Sequence, residues 1–338
     1  MFVPGQGHCM RKPLITLLPY VAVLFLAGLL LTGHGYGSAF AESFPVRSIR
    51  MVVPYGAGSG TDVMARAVVR FLEETIGQKV VVINKPGANG SIGTAEVAAA
   101  RPDGYTALML LSSDYMLTRL LSKDPGFTCD DFTLVGSFND TANCVVVKKN
   151  SQFKTFTELV EYARANPGKV TVSTSGLSHV FLGAMIGQVT GTKFSTITYS
   201  GNGESLSALL GGHVEAAILD RRFVKQAAQN GCTALTVAGE ERYAMLPELP
   251  TMRELGYDII DSQRSILAVP SGVPQEVVDV LIKAVTDFSN TRAFDETLVA
   301  LDEVPKIETG NTLTAWFKRQ YDFFANVVEA DRERFPVK

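Results

Sequence analysis

Two glycine-rich turns, roughly 30 residues apart, are the feature that most limits how this chain can fold. The first is GAGSG at residues 56–60, which follows the apolar run at residues 49–53 and precedes a helical pattern. The second is GANG at residues 87–90, placed in the same way after the apolar run at residues 80–83. Glycine lets the backbone approach a ligand closely, and a helix N-terminus offers unbonded N–H groups and partial positive charge. Two such turns at one edge of a sheet predict a cradle for an anion.

Strand and helix patterns alternate along the chain, which is typical of a parallel sheet flanked by helices. Strands are predicted at residues 49–53, 80–83, 106–111, 144–147, 170–173, 196–199, 216–219, 234–237 and 265–269. Helices are predicted at residues 62–76, 92–100, 156–165, 180–190, 205–211, 275–289 and 313–330, the last with an aromatic stripe that suits packing. Ligands bind beyond the carboxyl ends of such strands, where both glycine turns fall. The pattern repeats after residue 143, so we predict an α/β fold with two similar lobes facing one another.

A long apolar segment near the beginning of the sequence is typical of an export signal. Arg11 and Lys12 precede residues 14–31, which are almost wholly apolar, and AFA at residues 39–41 fits a cleavage site. We predict a signal peptide over residues 1–41, cleaved after Ala41. A retained membrane anchor is the alternative, because the apolar run is nearly long enough to span a bilayer.

Composition excludes several classes of function. The formal net charge is −3 and no basic block is present, so nucleic acid is not expected as a partner. After residue 41 the only histidines are His179 and His213, and they do not have metal-ligand spacing with the cysteines Cys129, Cys144 and Cys232. We therefore predict no metal and no cofactor. A disulfide between Cys129 and Cys144 and buried free thiols both remain open.

Two enzyme classes can be weighed against a binding protein. The first turn is not G-x-G-x-x-G, no P-loop lysine follows it, and Asn84 stands where a dinucleotide fold has an acid. A hydrolase elbow of the G-x-S-x-G type is absent, and Ser178 beside His179 is a poor candidate pair because neighbouring side chains rarely point at each other. Backbone N–H groups and hydroxyls at strand ends suit a carboxylate instead. We predict a binding protein and not an enzyme.

The order of motifs resembles one family over the whole mature chain. The motifs are FP at 44–45, IRMVVPY at 49–55, GTD at 60–62, VVINKPGANGSIG at 81–93, PDGYT at 102–106, DF at 131–132, YSG at 199–201, LGGHVE at 210–215, LPELPTMRELGY at 246–257 and VPSGVP at 269–274. This set resembles the Bug/TctC proteins, the periplasmic solute receptors of tripartite tricarboxylate transporters.

The resemblance implies a periplasmic protein with a Venus-flytrap fold, in which two lobes, each a mainly parallel sheet flanked by helices, close on a small organic acid. Residues 42–143 and 262–338 would form lobe 1 and residues 144–261 lobe 2, with a hinge near Asn143 and Asp261. The ligand would be a di- or tricarboxylate, an aromatic acid or an acidic amino acid, delivered to membrane permease subunits. An exported ligand-sensing receptor domain, or a hydrolase on the same two-lobed scaffold, is the alternative.

The predicted ligand-binding residues lie in the two glycine turns and at the other strand ends. They are Tyr55, Gly58, Ser59, Gly60, Thr61, Ala88, Asn89, Gly90, Ser91, Ser112, Ser113, Asp114, Ser175, Ser178, His179, Tyr199, Gly201, Asp220 and Arg221. The turns would hold the carboxylate that all ligands share. The loops around Asp114, His179 and Arg221 depart from the family pattern and would select the ligand. At residues 220–222 (DRR), an arginine could pair with a second carboxylate and an aspartate could hold an amine or hydroxyl, while a solvated surface pair is as plausible.

Overall fold

Two five-stranded sheets form the framework of the chain in this computed structural model, which describes residues 44–243, 246–333 and 335. All elements lie in one compact unit that begins at Pro45, and the predicted signal peptide lies outside the described residues. The strands are β1 (Ile49–Val53), β2 (Val80–Asn84), β3 (Thr106–Leu111), β4 (Phe132–Ser137), β5 (Asn139–Asp140), β6 (Asn143–Lys148), β7 (Thr171–Ser175), β8 (Ser195–Tyr199), β9 (Ala216–Asp220), β10 (Cys232–Val237), β11 (Ser265–Pro270) and β12 (Val304–Pro305). The helices are α1 (Gly60–Ile76), α2 (Ser91–Ala98), α3 (Ser112–Leu121), α4 (Phe156–Ala165), α5 (Leu177–Thr190), α6 (Asn202–Gly211), α7 (Val224–Gln229), α8 (Gln275–Ser289), α9 (Arg292–Ala300) and α10 (Gly310–Ala330).

The two sheets share one design. The first has the strand order β2-β1-β3-β11-β4, and only β11 runs antiparallel to its neighbours. The second has the order β10-β6-β9-β7-β8, and only β6 runs antiparallel to its neighbours. The prediction of a mainly parallel α/β fold is therefore confirmed. Because β1, β2 and β3 are parallel, both glycine turns and the start of α3 lie at one edge of the first sheet.

Several elements differ from the sequence prediction. Ser112, Ser113 and Asp114 were expected to form a loop, but they are the first turn of helix α3. Short polar side chains suit a first turn, and an acidic side chain there complements the partial positive charge of the helix N-terminus. Strand β4 and helices α7 and α9 were not predicted.

A continuous apolar core connects helices α3, α5 and α10. The rings of Phe181 in α5 and Phe324 in α10 have centroids 4.4 Å apart, and those of Tyr115 in α3 and Phe317 in α10 are 5.6 Å apart. One face of α10 is buried through Leu313, Trp316, Phe317, Phe324, Val327 and Val328. The aromatic stripe predicted at residues 313–330 is thus confirmed as packing.

Two segments carry the chain between the sheets. The first connects β4 to β6 through residues 138–142, and the second returns from β10 to β11 through residues 238–264. An antiparallel bridge between Thr141 and Gln263 joins the two segments, and the short ladder of β5 with β12 lies beside it. The backbone is therefore tied together where it crosses between the sheets.

Candidate functional site

The first glycine turn is held by a carboxylate from its own helix. Ser59 caps α1, and its Oγ accepts from the N–H of Asp62 at 3.2 Å. The Asp62 carboxylate accepts from the N–H of Gly58 at 2.8 Å and from Nδ2 of Asn84 at 2.9 Å. Burial raises the pKa of Asp62, but hydrogen bonds from Arg66, Gly58 and Asn84 outweigh it, so the net shift is downward. The turn is therefore preformed, and Asp62 itself uses one of its N–H donors.

The donors that remain in the first turn lie at the start of α1. The N–H groups of Gly60 and Thr61 have no acceptor within the described part of the chain. Such first-turn groups point along the helix axis toward whatever lies before the helix. The start of α1 can therefore accept an anion or a polar oxygen.

The second turn has an unusual backbone that exposes its N–H groups. Ala88, Asn89 and Gly90 have positive φ angles of 46°, 54° and 93°, which is uncommon for the two non-glycine residues. Successive residues in such conformations form concave nests that bind anions. The N–H groups of Ala88 and Asn89 find no acceptor among the described residues. A Cβ on Gly90 would lie 3.5 Å from both Pro54 and Tyr55, so this turn lies directly against the residues that lead into the first.

The first turn of α3 borders the same edge. The N–H of Ser112 donates to the carbonyl of Arg264 at 2.9 Å, and the N–H of Arg264 donates to Ser112 Oγ at 3.0 Å. Ser113 is buried, and its Oγ has no partner in the described part of the molecule. Burial raises the pKa of Asp114 to about 6, against the lowering effect of the nearby Tyr55 hydroxyl. Burial raises the pKa of Tyr55, and the nearby Asp114 carboxyl raises it further.

At the edge of the second sheet, Ser175 and His179 form a buried pair. His179 Nδ1 accepts from the N–H of Ser175 at 3.1 Å and lies 2.8 Å from its Oγ. The backbone donor assigns the ring proton to Nε2. Burial lowers the pKa of His179 to about 4, although the charge of Asp220 acts in the opposite direction. His179 is therefore neutral at pH 7 and presents an N–H donor; Ser178, next to it, is half-buried in the first turn of α5.

The remaining sequence-predicted positions follow β8 and β9. Tyr199 ends β8 and is half-buried, and Gly201 precedes α6. The side-chain oxygen of Asn202, the first residue of α6, accepts a hydrogen bond from the N–H of Asp220 at 3.0 Å. This bond connects the loop after β8 to the end of β9. Ser91, in the second turn of the first sheet, begins α2.

The two arginines after β9 point in different directions. Arg221 is buried; its Nη2 donates to the carbonyl of Asp140 and lies 3.6 Å from the Glu303 carboxylate. Arg222 forms a fork with Asp220, with Nε to Oδ1 at 3.0 Å and Nη2 to Oδ2 at 2.6 Å. A Cβ on Gly60 would lie only 2.5 Å from Nη1 of Arg222. The guanidinium of Arg222, which the sequence-based site omitted, therefore lies against the start of α1.

The predicted hinge residues are direct neighbours. Asn143 Nδ2 donates to Oδ2 of Asp261 at 2.6 Å, and Gln263 Nε2 donates to the same oxygen at 3.2 Å. The other oxygen, Oδ1, is buried without a partner in the described residues. Burial raises the pKa of Asp261 to about 7, the two amide donors lower it, and the nearby Asp114 and Asp140 carboxyls raise it further.

The strand ends bring together backbone N–H groups, hydroxyls and the neutral His179 with the carboxyls of Asp114 and Asp220 and the guanidinium of Arg222. Among the described residues no group of His, Cys, Asp and Glu side chains could hold a metal ion. Cys129, Cys144 and Cys232 are free thiols, so the structure contains no Cys129–Cys144 disulfide. Of the helices described, none is long and apolar enough to cross a membrane. Backbone N–H groups, hydroxyls and a guanidinium can bind an anion without forming a covalent bond.

Comparison with known proteins identifies the family. Residues 64–316 match the tripartite tricarboxylate transporter family receptor, TctC. Protein BugT of Bordetella pertussis is 31% identical over 294 residues, which are 85% of this chain and 90% of BugT. A TctC solute-binding protein from Polaromonas, solved without ligand, has a TM-score of 0.73 and 28% identity over 85% of this chain and 99% of its own. The R. palustris protein Rpa4515 with adipate has a TM-score of 0.72 and 25% identity over 85% and 97% of the two chains. The chain therefore belongs to the TctC family of periplasmic solute-binding receptors.

Proposed function

We propose that this receptor binds a small organic carboxylate at the edge where the two glycine turns meet, and delivers it to the membrane subunits of a tripartite transporter. The observation that carries the proposal is a set of N–H groups that have no acceptor among the described residues, those of Gly60 and Thr61 at the first turn and of Ala88 and Asn89 in the second. Gly90 of the second turn lies beside Pro54 and Tyr55, which lead into the first. A carboxylate has two oxygens that together accept several such donors. The related Rpa4515, solved with adipate, supports an organic acid as the ligand class.

We propose further that the two sheets belong to separate lobes, residues 42–143 with 262–338 and residues 144–261, which close around the ligand. The two segments that cross between the sheets would serve as the hinge. Asn143, the first residue of β6, directly follows the first crossing segment and hydrogen bonds to Asp261 on the second, which supports a hinge at these positions. Hinges are a few residues at element ends that absorb the change in backbone angles.

We also propose that the chain is exported to the periplasm. The family consists of periplasmic receptors, and the segment with Arg11, Lys12 and the AFA motif would direct the chain there, with cleavage after Ala41. Amino-terminal sequencing of the protein recovered from periplasm tests the cleavage position.

A hydrolase built on Ser175 and His179 is the competing reading, because the two side chains are 2.8 Å apart. Three features disfavour it. Burial lowers the pKa of His179 to about 4, which makes it a weak base near neutral pH. Its Nδ1 already accepts the Ser175 N–H, and both Asp220 oxygens are bonded to Arg222 rather than to the imidazole. The pair is better suited to fixing the direction of the Nε2 donor.

Calorimetry with the purified mature protein tests the proposed function. Malate, citrate, adipate, benzoate and glutamate would be titrated in turn, with glucose as a neutral control. We expect at least one acid to bind with a Kd of about 1 mM or tighter and to raise the Tm, because binding to the folded state stabilises it. If none of the acids binds, and mass spectrometry finds no organic acid in protein purified without added ligand, the proposal is wrong. Turnover of an ester substrate that H179Q abolishes would favour the hydrolase instead.

A further inference from the structure

We propose that Arg222 is the residue that selects for charge on the ligand, by donating from Nη1 to a ligand carboxylate held at the start of α1. This inference rests on the proposed function, since it concerns the same site. It assigns a role to a side chain from the second sheet that reaches a turn of the first.

The fork between Arg222 and Asp220 fixes the orientation of the guanidinium. Nε and Nη2 donate to the two oxygens of Asp220, and the backbone N–H of Arg222 donates to Oδ1 at 3.1 Å. Hydrogen bonds from Arg222 lower the pKa of Asp220 although burial raises it, so the pair is ionised. A bidentate pair of this kind holds the plane of the guanidinium in one direction. The edge that carries Nη1 is therefore turned away from Asp220.

That free edge has no hydrogen-bond acceptor in the described part of the chain. Nη1 makes a loose ion pair with Oε1 of Glu303 at 3.7 Å, which is too far for a hydrogen bond. The other Glu303 oxygen accepts Nδ2 of Asn139 at 2.8 Å. Arg222 is only about one-third exposed, with 31% of its side chain accessible, so water satisfies this edge less readily than on an open surface.

Gly60 gives the guanidinium room at the start of α1. A Cβ at this position would lie 2.5 Å from Nη1, 2.6 Å from Nη2 and 2.9 Å from Cζ. The guanidinium thus lies beside the N–H groups of Gly60 and Thr61, which are also unbonded among the described residues. Asp220 and Glu303 already lie beside the guanidinium, at 2.6 and 3.7 Å, but neither accepts a hydrogen bond from Nη1. We infer that a ligand carboxylate at the start of α1 accepts from Nη1 and from the helix N–H groups together.

Backbone N–H donors and a guanidinium differ in how strongly they distinguish a carboxylate from a carboxamide. Backbone N–H groups bind a carboxylate or a carboxamide oxygen, whereas a charge-assisted bond to arginine favours the carboxylate. We therefore expect Arg222 to set the preference for a charged group over its neutral isostere. A charge-assisted hydrogen bond corresponds to about 10- to 100-fold in affinity.

The test compares adipate with its uncharged diamide, adipamide, in the wild type, R222M, R222K and the control R253M. Arg253 carries the same charge in an exposed ion pair with Asp258, 57% and 86% accessible, so R253M controls for net charge. If adipate is not bound, malate and its diamide replace the pair. We expect R222M to weaken diacid binding about 10- to 100-fold and diamide binding by less than about 3-fold. R222K keeps the ion pair with Asp220 but not the Nη1 donor, so it should lose at least about 10-fold for the diacid.

The outcomes separate this inference from the proposed function. If the wild type binds none of the acids, the proposed function fails first. If the wild type binds the diacid but R222M weakens diacid and diamide equally, or neither, Arg222 does not select charge. R222K supplies the same comparison should R222M not fold, and unchanged circular dichroism of each variant confirms that folding is intact.

Discussion

Asp261 has a carboxyl group whose two oxygens lie in different surroundings, and this allows a sharp test. Oδ2 accepts from Asn143 and Gln263, whereas Oδ1 is buried with no partner among the described residues. An asparagine in place of Asp261 can keep the carbonyl oxygen at Oδ2 and put its amide nitrogen at Oδ1. The negative charge of Asp114 acts on Asp261. An amide N–H group at the Oδ1 position is therefore electrostatically more favourable than a carboxylate oxygen. D261N should therefore preserve the packing and remove the charge.

The size of the effect follows from the pKa. Burial first, and then the nearby Asp114 and Asp140, raise the pKa of Asp261 from 3.8 to about 7 in the folded protein. That difference corresponds to about 4 kcal/mol by which the folded state disfavours the ionised form, at about 1.36 kcal/mol for each pH unit. Between pH 3.8 and about 7 the folded state binds more protons than the unfolded state, so the free energy of unfolding falls as pH rises through this window. The full cost is present above about pH 7 and absent below about pH 4.

Urea unfolding of the wild type and D261N at pH 4, 5.5 and 8 measures this directly. We expect D261N to be more stable than the wild type at pH 8 by about 2 to 4 kcal/mol, and to match it within about 1 kcal/mol at pH 4. D258N is the matched control, since Asp258 is 86% exposed and pairs only at the surface. The difference in free energy of unfolding between D258N and the wild type should not change with pH by more than about 0.5 kcal/mol. A D261N protein that is less stable than the wild type at pH 8 would refute the reasoning, because the ionised carboxylate would then be stabilising.

Three further predictions follow from the turns, the core and the thiols. G58V and G90V, at φ angles of 81° and 93°, should each weaken carboxylate binding at least about 10-fold in calorimetry and cost about 1–2 kcal/mol of stability from backbone strain; unchanged affinity would place the site elsewhere. F181A removes a fully buried ring that packs 4.4 Å from Phe324, and should lower the free energy of unfolding in urea by about 3–5 kcal/mol; a loss under about 1 kcal/mol would contradict the packing. Because the described cysteines are free, dithiothreitol should leave the Tm unchanged and thiol titration in denaturant should find Cys129 reduced.

Much of the fold could be predicted from the sequence because the buried strands and helices carry regular apolar patterns. Strands β1 and β3, for example, were placed at their observed bounds from continuous apolar runs. Strand β4 was missed because FTLVGS alternates weakly and ends in Gly-Ser, which is usual in turns. The start of α3 was missed because Ser-Ser-Asp at residues 112–114 is equally typical of a loop and of a helix first turn.

The site shows where such patterns stop being informative. Along β9 the side chains alternate strictly: Ala216 and Ile218 join one apolar cluster, and Ala217 and Leu219 join the other. After Asp220 the backbone enters a 3-10 turn, in which successive side chains diverge by about 120° instead of alternating. Two adjacent arginines must therefore point in different directions, and the sequence does not say which one reaches the glycine turn. In the structure it is Arg222, bonded to Asp220 through its backbone N–H and its guanidinium, that lies against Gly60.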